Sequence, residues 1–576
     1  MVKVTPSNML IGLAGWAIFV SQPVHADNQF SIHDQQQKKQ QQYQQQQQQA
    51  LEQRLEAKAP TVRLLDDTSS VSNLKFPKES PCFVIHQVML SGQEDLPHWL
   101  PLQRLADQAN GHCLGSQGIN LLMGNIQDRL VSHGWVTSRV LAPQQDLRGG
   151  ELKLVVLAGK IHQITRTSES NHYATLYTAI PAHEGNLFDL RDMEQGLENL
   201  QRLPTVQAKM ELVPAAKPGE SDIVIHRQQS RYWRVGSWVD DSGNKSTGRY
   251  QGGLMLALDN PTSLSDLFYV TASRDLGFAG KKNTKNYSVH YSVPFGYWQF
   301  GVTGSHYTYA QTVPLYGSGD TLYRGEGNSF ITQLSRVLHR NATSKTTATY
   351  EVRLRQSKNF LGKAKIAPQE RHTTDWKLGL NHRHYLGTAI LDAGVSYQRG
   401  TRWFGAQPAF EEWRSGDDHS TALTKILQWS VDLEIPFSIS DQSFRYQAKY
   451  LRQMSNTQLT SQDQFSIGNR WNIRGFDGER SLSADRGWYL RNTLAWKVPL
   501  PSQELYLGGD YGEVDGRGMD GHPLIGRHLA GGVVGMRGNL SIANISYDFS
   551  VGTPFSKPDG FKTGYTNVNF SVNWNY

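Results

Sequence analysis

The chain closes on a run in which Val568, Phe570, Val572, Trp574 and Tyr576 alternate with Asn567, Asn569, Ser571, Asn573 and Asn575. Side chains along a strand point to opposite faces with a period of two, so this segment has one apolar face ending in aromatics and one polar face. Phe444, Tyr446, Ala448 and Tyr450 alternate in the same way with Arg445, Gln447 and Lys449. Leu427, Trp429, Val431, Leu433 and Ile435 alternate with Gln428, Ser430, Asp432 and Glu434. Charges on one face and aromatics on the other fit the wall of a transmembrane β-barrel around a wet lumen. A soluble β-sandwich would keep its charges outside and place far fewer aromatics on the apolar face.

From residue 231 to 576 the pattern is strand, turn, strand. Tyr287, Val289, Tyr291 and Val293 alternate up to Pro294-Phe295-Gly296, and Trp298, Phe300 and Val302 alternate back, which predicts a hairpin. Pro436-Phe437-Ser438 and Pro499-Leu500-Pro501 read as turns on the same side. Strands of ~9–11 residues with alternating short and long connections give about sixteen in this length, with fourteen and eighteen also compatible.

The start of the chain says where such a barrel resides. Lys3 precedes an apolar stretch from Met9 to Val20, and Val24-His25-Ala26 offers small residues for a signal peptidase, so residues 1–26 read as a leader and the mature chain as beginning at Asp27. No later segment approaches the ~18 apolar residues of a membrane-spanning helix, and mean hydropathy is −0.51. With helices set aside, only a closed barrel crosses a bilayer without leaving backbone groups unsatisfied.

Residues 27–58 carry a glutamine-rich block without Gly or Pro after Phe30, built from good helix formers. A polar helix is expected there, and three roles stand open: a solvated helix, a low-complexity tract, or a plug in a polar cavity. Residues 59–80 read as a linker. Two modules of similar element order follow, at 81–159 and 160–230. The first runs through a strand at Phe83–Leu90, a helix at Pro101–Asn110, a helix with Ile119, Leu122, Met123, Ile126, Leu130 and Val131 on one face, and strands at Val136–Leu141 and Glu151–Leu157. The second repeats the order with a strand at Lys160–Arg166, helices at Ala174–Ile180 and around Leu190, Met193, Leu197 and Leu200, and strands at Val206–Val213 and Asp222–Arg227. The two cysteines of the chain, Cys82 and Cys113, both fall in the first module and read as a structural disulfide in an exported protein.

The net charge of +7 over 576 residues is too dilute to indicate a nucleic-acid surface. A phosphate-binding G-x-x-x-x-G-K-[ST] loop, an H-E-x-x-H helix and a G-x-S-x-G elbow are all missing from the sequence, and no ligand-like histidine cluster stands out. No catalytic residue, metal or cofactor is therefore assigned.

One motif is more specific. Ile473-Arg474-Gly475-Phe476 resembles the [V/I]-R-G-[Y/F] signature of the Omp85 superfamily, carried on a long loop folded back into the lumen. Asp510 resembles the acid of that family's F-x-D wall motif, although Gly508 stands where the motif has its aromatic. The tandem β-α-α-β-β modules resemble POTRA domains. Leu258-Asp259-Asn260-Pro261 with Leu264-Ser265-Asp266, and Pro81-Cys82-Phe83 with Gly111-His112-Cys113, resemble the two-partner secretion (TpsB) branch.

The resemblance implies an outer-membrane transporter of a Gram-negative bacterium: a barrel of about sixteen strands with two periplasmic α/β POTRA domains. It would export a TpsA-type exoprotein, whether haemolysin, adhesin or contact-dependent toxin, without nucleotide hydrolysis. The alternative is an Omp85-type assembly factor, a class that usually carries more POTRA modules. Expected partners are the exoprotein, outer-membrane lipid and the barrel assembly machinery, with Phe570, Trp574 and Tyr576 as the C-terminal assembly signal; a monomer and no nucleic acid are expected. An arginine on a loop tip facing a wall carboxylate forms a directional pair that holds a loop in place, while the competing reading makes Arg474 a solvated lumen charge.

Overall fold

The computed structural model describes residues 62–64, 74–170, 173–277, 282–315, 319–413, 419–518 and 523–576. The expected leader and the glutamine-rich segment lie outside them. Among the described residues, sixteen antiparallel strands from Trp233–Asp240 to Asn567–Asn575 close into a barrel, each paired to the next and the last to the first. The two-residue strand Ala364–Lys365 extends one of these. The longest, Gly319–Arg340 and its neighbours Trp298–Leu315 and Ser344–Leu361, run well past the expected length and project beyond the bilayer.

The alternation survives as a division of faces. Leu254, Val289, Phe330, Leu378, Trp429, Leu507, Val534 and Val568 are exposed on the outer, lipid-facing surface. Their neighbours in sequence turn inward and pair across the lumen wall: Arg353 with Asp375 at 2.9 Å, Arg383 with Asp392 at 2.8 Å, and Arg445 and Arg537 with Glu504 at 2.5 and 3.0 Å. A lumen cavity of about 700 Å³ remains, lined by Asn328, Glu351, Arg353, Lys377, Gln428 and Asp432 among others.

Turn placement differs from the sequence expectation at one point. Pro436-Phe437-Ser438 lies inside the strand Lys425–Ile439, paired with Arg445, Phe444 and Ser443, and the chain turns at Ser440 in a left-handed conformation (φ 52°). Proline lacks only an N–H and fits a strand near its end, so it did not mark the reversal itself. At Phe295–Trp298 the predicted hairpin forms as expected, with Gly296 at φ 55°.

The first N-terminal module has the sheet order Gln87–Ser91, Glu151–Leu157, Arg139–Leu141, covered by helices Leu102–Ala106 and Ser116–Ser132. The expected single strand Phe83–Leu90 is split: Phe83–Val84 pairs with Cys113–Leu114, while Gln87–Ser91 joins the sheet parallel to Glu151–Val155. Cys82 and Cys113 are disulfide-bonded across that small two-stranded sheet, with Cα atoms 5.4 Å apart. The Glu79 carboxylate seats on the start of helix Ser116–Ser132, accepting from the backbone N–H of Gly115, Gly118 and Gln117. The second module orders Lys160–Arg166, Glu220–Gln229, Val206–Pro214 beneath helix Leu190–Gln201. Its first helix is a single turn, Leu176–Ala179, shorter than the segment expected.

Candidate functional site

The loop between strands Gln442–Ser455 and Arg486–Lys497 folds back into the barrel and forms a hairpin of its own, Phe465–Ile467 with Leu482–Ala484. Its tip is shaped by Asn472, whose Oδ1 accepts from the N–H of Gly468, Asn469 and Ile473. Ile473 and Phe476 are buried with Phe465, Ile467, Tyr489, Leu529 and Phe561, and Phe476 meets Phe561 edge-on at 5.7 Å. An apolar cluster thus anchors the loop and leaves the direction of Arg474 fixed.

Arg474 meets the wall at Asp510. Its Nε and Nη2 donate to Oδ2 and Oδ1 at 2.7 Å each, and its backbone N–H donates to Oδ2 at 2.8 Å. Nη2 also donates to the carbonyl of Asn492 at 2.8 Å. Arg474 is 8% and Asp510 4% exposed, so neither is a solvated lumen charge. A fork-on-fork pair with three N–H donors on one carboxylate is directional, and removing either partner strands a buried charge. Gly475 takes φ 101° and lies against the wall, where a side chain would stand 2.4 Å from the carbonyl oxygen of Thr553. Arg470 adds a second fastening, 3.0 Å from Asp241 beside the seam of first and last strands. Sequence reasoning did not find Arg470, Asn472 or Asp241, since a single charge or amide in a loop carries no periodic signal.

The C-terminal residues sit at the other end of that seam. Phe570 and Trp574 lie in the last strand, and the Tyr576 N–H donates to the Val235 carbonyl at 2.8 Å. Trp574 and Tyr576 stack at 6.3 Å, and Arg231 covers the Tyr576 ring at 4.8 Å.

At the barrel end opposite the Arg474 loop, the second module docks through helix Leu190–Gln201. Arg340, the last residue of strand Gly319–Arg340, donates to Glu198 at 2.6 Å and to Gln195 at 3.0 Å, and lies 3.4 Å from Glu194. Lys345 also pairs with Glu198. Asn199 donates to the Gly296 carbonyl and Tyr297 Oη to Asp192. The hairpin at Asp259–Asp266 adds Thr205 Oγ1 to Asp259 at 2.7 Å. Three residues of the segment before the first module join in: the Val62 carbonyl accepts from Arg340, Leu64 N–H donates to Glu194, and Arg63 covers the Tyr385 ring at 5.0 Å. Burial would raise the Glu198 carboxyl, but Lys345 and Arg340 outweigh it and hold it below the ordinary value.

The first module presents a sheet edge at Gln87–Ser91. The Gln103 side chain lies along it, with Nε2 donating to the Val88 carbonyl at 2.8 Å and Oε1 accepting from the Leu90 N–H at 3.3 Å. These are the two groups an added strand would use. A side-chain amide therefore stands in for a neighbouring strand.

Residues 219–538 match the family described as haemolysin secretion/activation protein ShlB/FhaC/HecB; residues 83–159 match the ShlB-type POTRA domain and 160–214 a POTRA domain. The chain belongs to the ShlB/FhaC/HecB family. This transporter is 33% identical over 514 residues to the outer membrane transporter CdiB-2 of Burkholderia pseudomallei, covering 86% of this chain and 87% of that one. It is 26% identical over 506 residues to the hemolysin transporter protein HpmB of Proteus mirabilis, covering 86% and 84%. Among solved structures it resembles CdiB from Escherichia coli, with a TM-score of 0.83, 26% identity and coverage of 95% and 99%. CdiB from Acinetobacter baumannii gives 0.76, 27%, 95% and 98%. It is an outer-membrane transporter of the two-partner secretion type, with its POTRA domains in the periplasm. That places the docked helix Leu190–Gln201 on the periplasmic side and the Arg474 loop on the extracellular side.

Proposed function

We propose that this transporter exports a contact-dependent toxin-type exoprotein, captured unfolded in the periplasm, threaded through the lumen and folded at the cell surface. The observation that carries the reading is the pair Arg474–Asp510, which fastens a long extracellular loop inside a polar lumen fed by two POTRA domains. The cargo class rests on the CdiB names of its relatives. Capture is by strand addition at a POTRA sheet edge, a main-chain mode that tolerates varied sequence. Folding outside the cell supplies the drive, so export needs neither a nucleotide nor a catalytic step. The barrel acts as a monomer in outer-membrane lipid, assembled by the barrel machinery through its aromatic terminus, and contacts no nucleic acid.

The test is removal of the transporter from a strain that carries a large exoprotein gene beside it. Loss of that exoprotein from the surface, with all other outer-membrane barrels at normal abundance, fits export. A general fall in outer-membrane barrels would instead identify an assembly factor.

A further inference from the structure

A second cavity, of about 650 Å³, opens on the outside of the barrel wall, at its extracellular rim. It spans five neighbouring strands and the residue before a sixth, and is lined by Lys425, Arg452, Arg486 and Arg527, by Glu513 and Asp515, and by Tyr397, Leu427, Met454 and Trp488. Strand parity puts Lys425, Arg452, Arg486, Glu513 and Asp515 on the lipid side, since Arg452 is opposite Trp429 and Trp488 and Arg486 is opposite Asp515, while Arg527, just before strand His528–Leu540, reaches the same face through Asp515. An aromatic row runs just below them, Tyr450 to Trp488 at 6.0 Å, Trp488 to Tyr511 at 5.5 Å and Tyr511 to His528 at 6.1 Å. Such rows sit at the level where acyl chains give way to headgroups.

Cations on the lipid face at this level need anions. Arg486 and Arg527 share Asp515, at 2.9 and 3.4 Å. Glu513 is engaged by Tyr511 Oη at 2.5 Å. Lys425 and Arg452 form no ion pair among the described residues. Four cations thus face two carboxylates, both already engaged, around a cavity of small-molecule size with an apolar floor. A soluble anion would leave that floor wet, whereas a lipid covers it with its first methylenes and brings its phosphate to the cations. Two unpaired cations beside a shared arginine pair suit two phosphates better than one phosphodiester.

We propose that this cavity binds the phosphorylated sugar headgroup of an outer-leaflet glycolipid, with Lys425 and Arg452 as its principal phosphate contacts. The site is distinct from the lumen and from the loop that Arg474 fastens. Its occupancy would fix the rotation and depth of the barrel wall from which that loop departs.

The experiment uses full-length protein in detergent, titrated with bisphosphorylated lipid A and followed by thermal unfolding and by native mass spectrometry. A cation near an anionic surface contributes a factor of about five in binding, so Arg452→Gln should weaken lipid A binding about fivefold, and Lys425→Gln with Arg452→Gln about twentyfold. Arg336→Gln, an exposed cation at the opposite rim, paired with Trp298, should leave it unchanged. Inorganic phosphate and phosphatidylglycerol vesicles should neither stabilise the protein nor compete. Equal lipid A binding by the native and doubly substituted proteins would overturn the proposal. So would stabilisation by inorganic phosphate alone, which would mark a soluble-anion site, or equal binding of phosphatidylglycerol. All the variants change exposed side chains, and heat-modifiable migration on gels verifies that each barrel is folded.

Discussion

Gly508 lies directly beneath the Arg474 guanidinium: a Cβ added there would stand 2.3 Å from Nη2 and 2.8 Å from the Asn492 carbonyl oxygen. The position where the family's wall motif carries an aromatic is here a notch, and the arginine occupies it. Overpacking of this kind typically costs about 1–3 kcal/mol. Gly508→Ala should therefore push the guanidinium off Asp510 and lower surface export of the partner, with the barrel still folded. Export at the native level, measured by surface immunoblot, would show that the loop tolerates the shift.

The pair itself gives a sharper test. Truncating one partner of a buried, hydrogen-bonded ion pair typically costs about 3–5 kcal/mol because the other charge is left unpaired. Arg474→Ala and Asp510→Ala should each reduce export without preventing membrane insertion. The double variant should lose little more than either alone, since residues in contact are not additive. Exchanging the two residues should not restore export: the backbone N–H at 474 donates to Asp510 Oδ2, and an arginine at 510 would present a donor to that donor.

The barrel wall was legible because a half-buried strand writes its two faces into alternate residues, as in Leu427–Ile435 and Val568–Tyr576. Arg474 and Asp510 were legible through a resemblance, and the structure brings them together. Helix Leu190–Gln201 was legible on one face alone. Its apolar residues Leu190, Met193, Leu197 and Leu200 marked a core, while Arg191, Glu194, Gln195 and Glu198 carried no signal of their own. In the fold these too are buried, because Arg340, 142 positions from Glu198, closes over them. Periodicity reports that a face is polar; it cannot report that the end of a barrel strand far along the chain will cover it. The same holds for Lys425, Arg452, Arg486 and Arg527, which meet only through strand register.

At the start of that helix, burial and then the Asp192 charge push the Asp189 carboxyl up to about 6, against the N–H bond it accepts from Arg191. Between pH 4 and 6 the folded module therefore holds a proton that the unfolded chain has released, so stability falls as pH rises through this window and levels off above it. Moving from pH 5 to pH 7 should lower the protection of helix Leu190–Gln201 in hydrogen exchange by about tenfold, after correction for intrinsic rates. Asp189→Asn, which keeps a good capping residue, should remove that difference. An unchanged pH dependence in the variant would assign the effect to other groups.

Gln103 gives the test that separates capture from threading. Its amide occupies the Val88 carbonyl and the Leu90 N–H, so an incoming strand at this edge must first displace it. The displaced contact is a pair of neutral hydrogen bonds, each with a net contribution of about 1 kcal/mol, and the amide regains water when it leaves. The competition is consequently mild, and removing it should tighten binding rather than create it. Gln103→Ala should raise the affinity of full-length transporter for an extended peptide from the partner's secretion domain about fivefold, read by fluorescence anisotropy. Proline substitution at every second residue of the peptide, which removes the N–H groups that would pair with the edge, should abolish the gain. If Gln103→Ala binds the peptide no better than the native protein, partner capture occurs away from the Gln87–Ser91 edge. Export in that variant then discriminates further: capture that is tighter but still reversible leaves secretion intact, whereas a partner that no longer lets go accumulates in the periplasm, bound to the first POTRA domain.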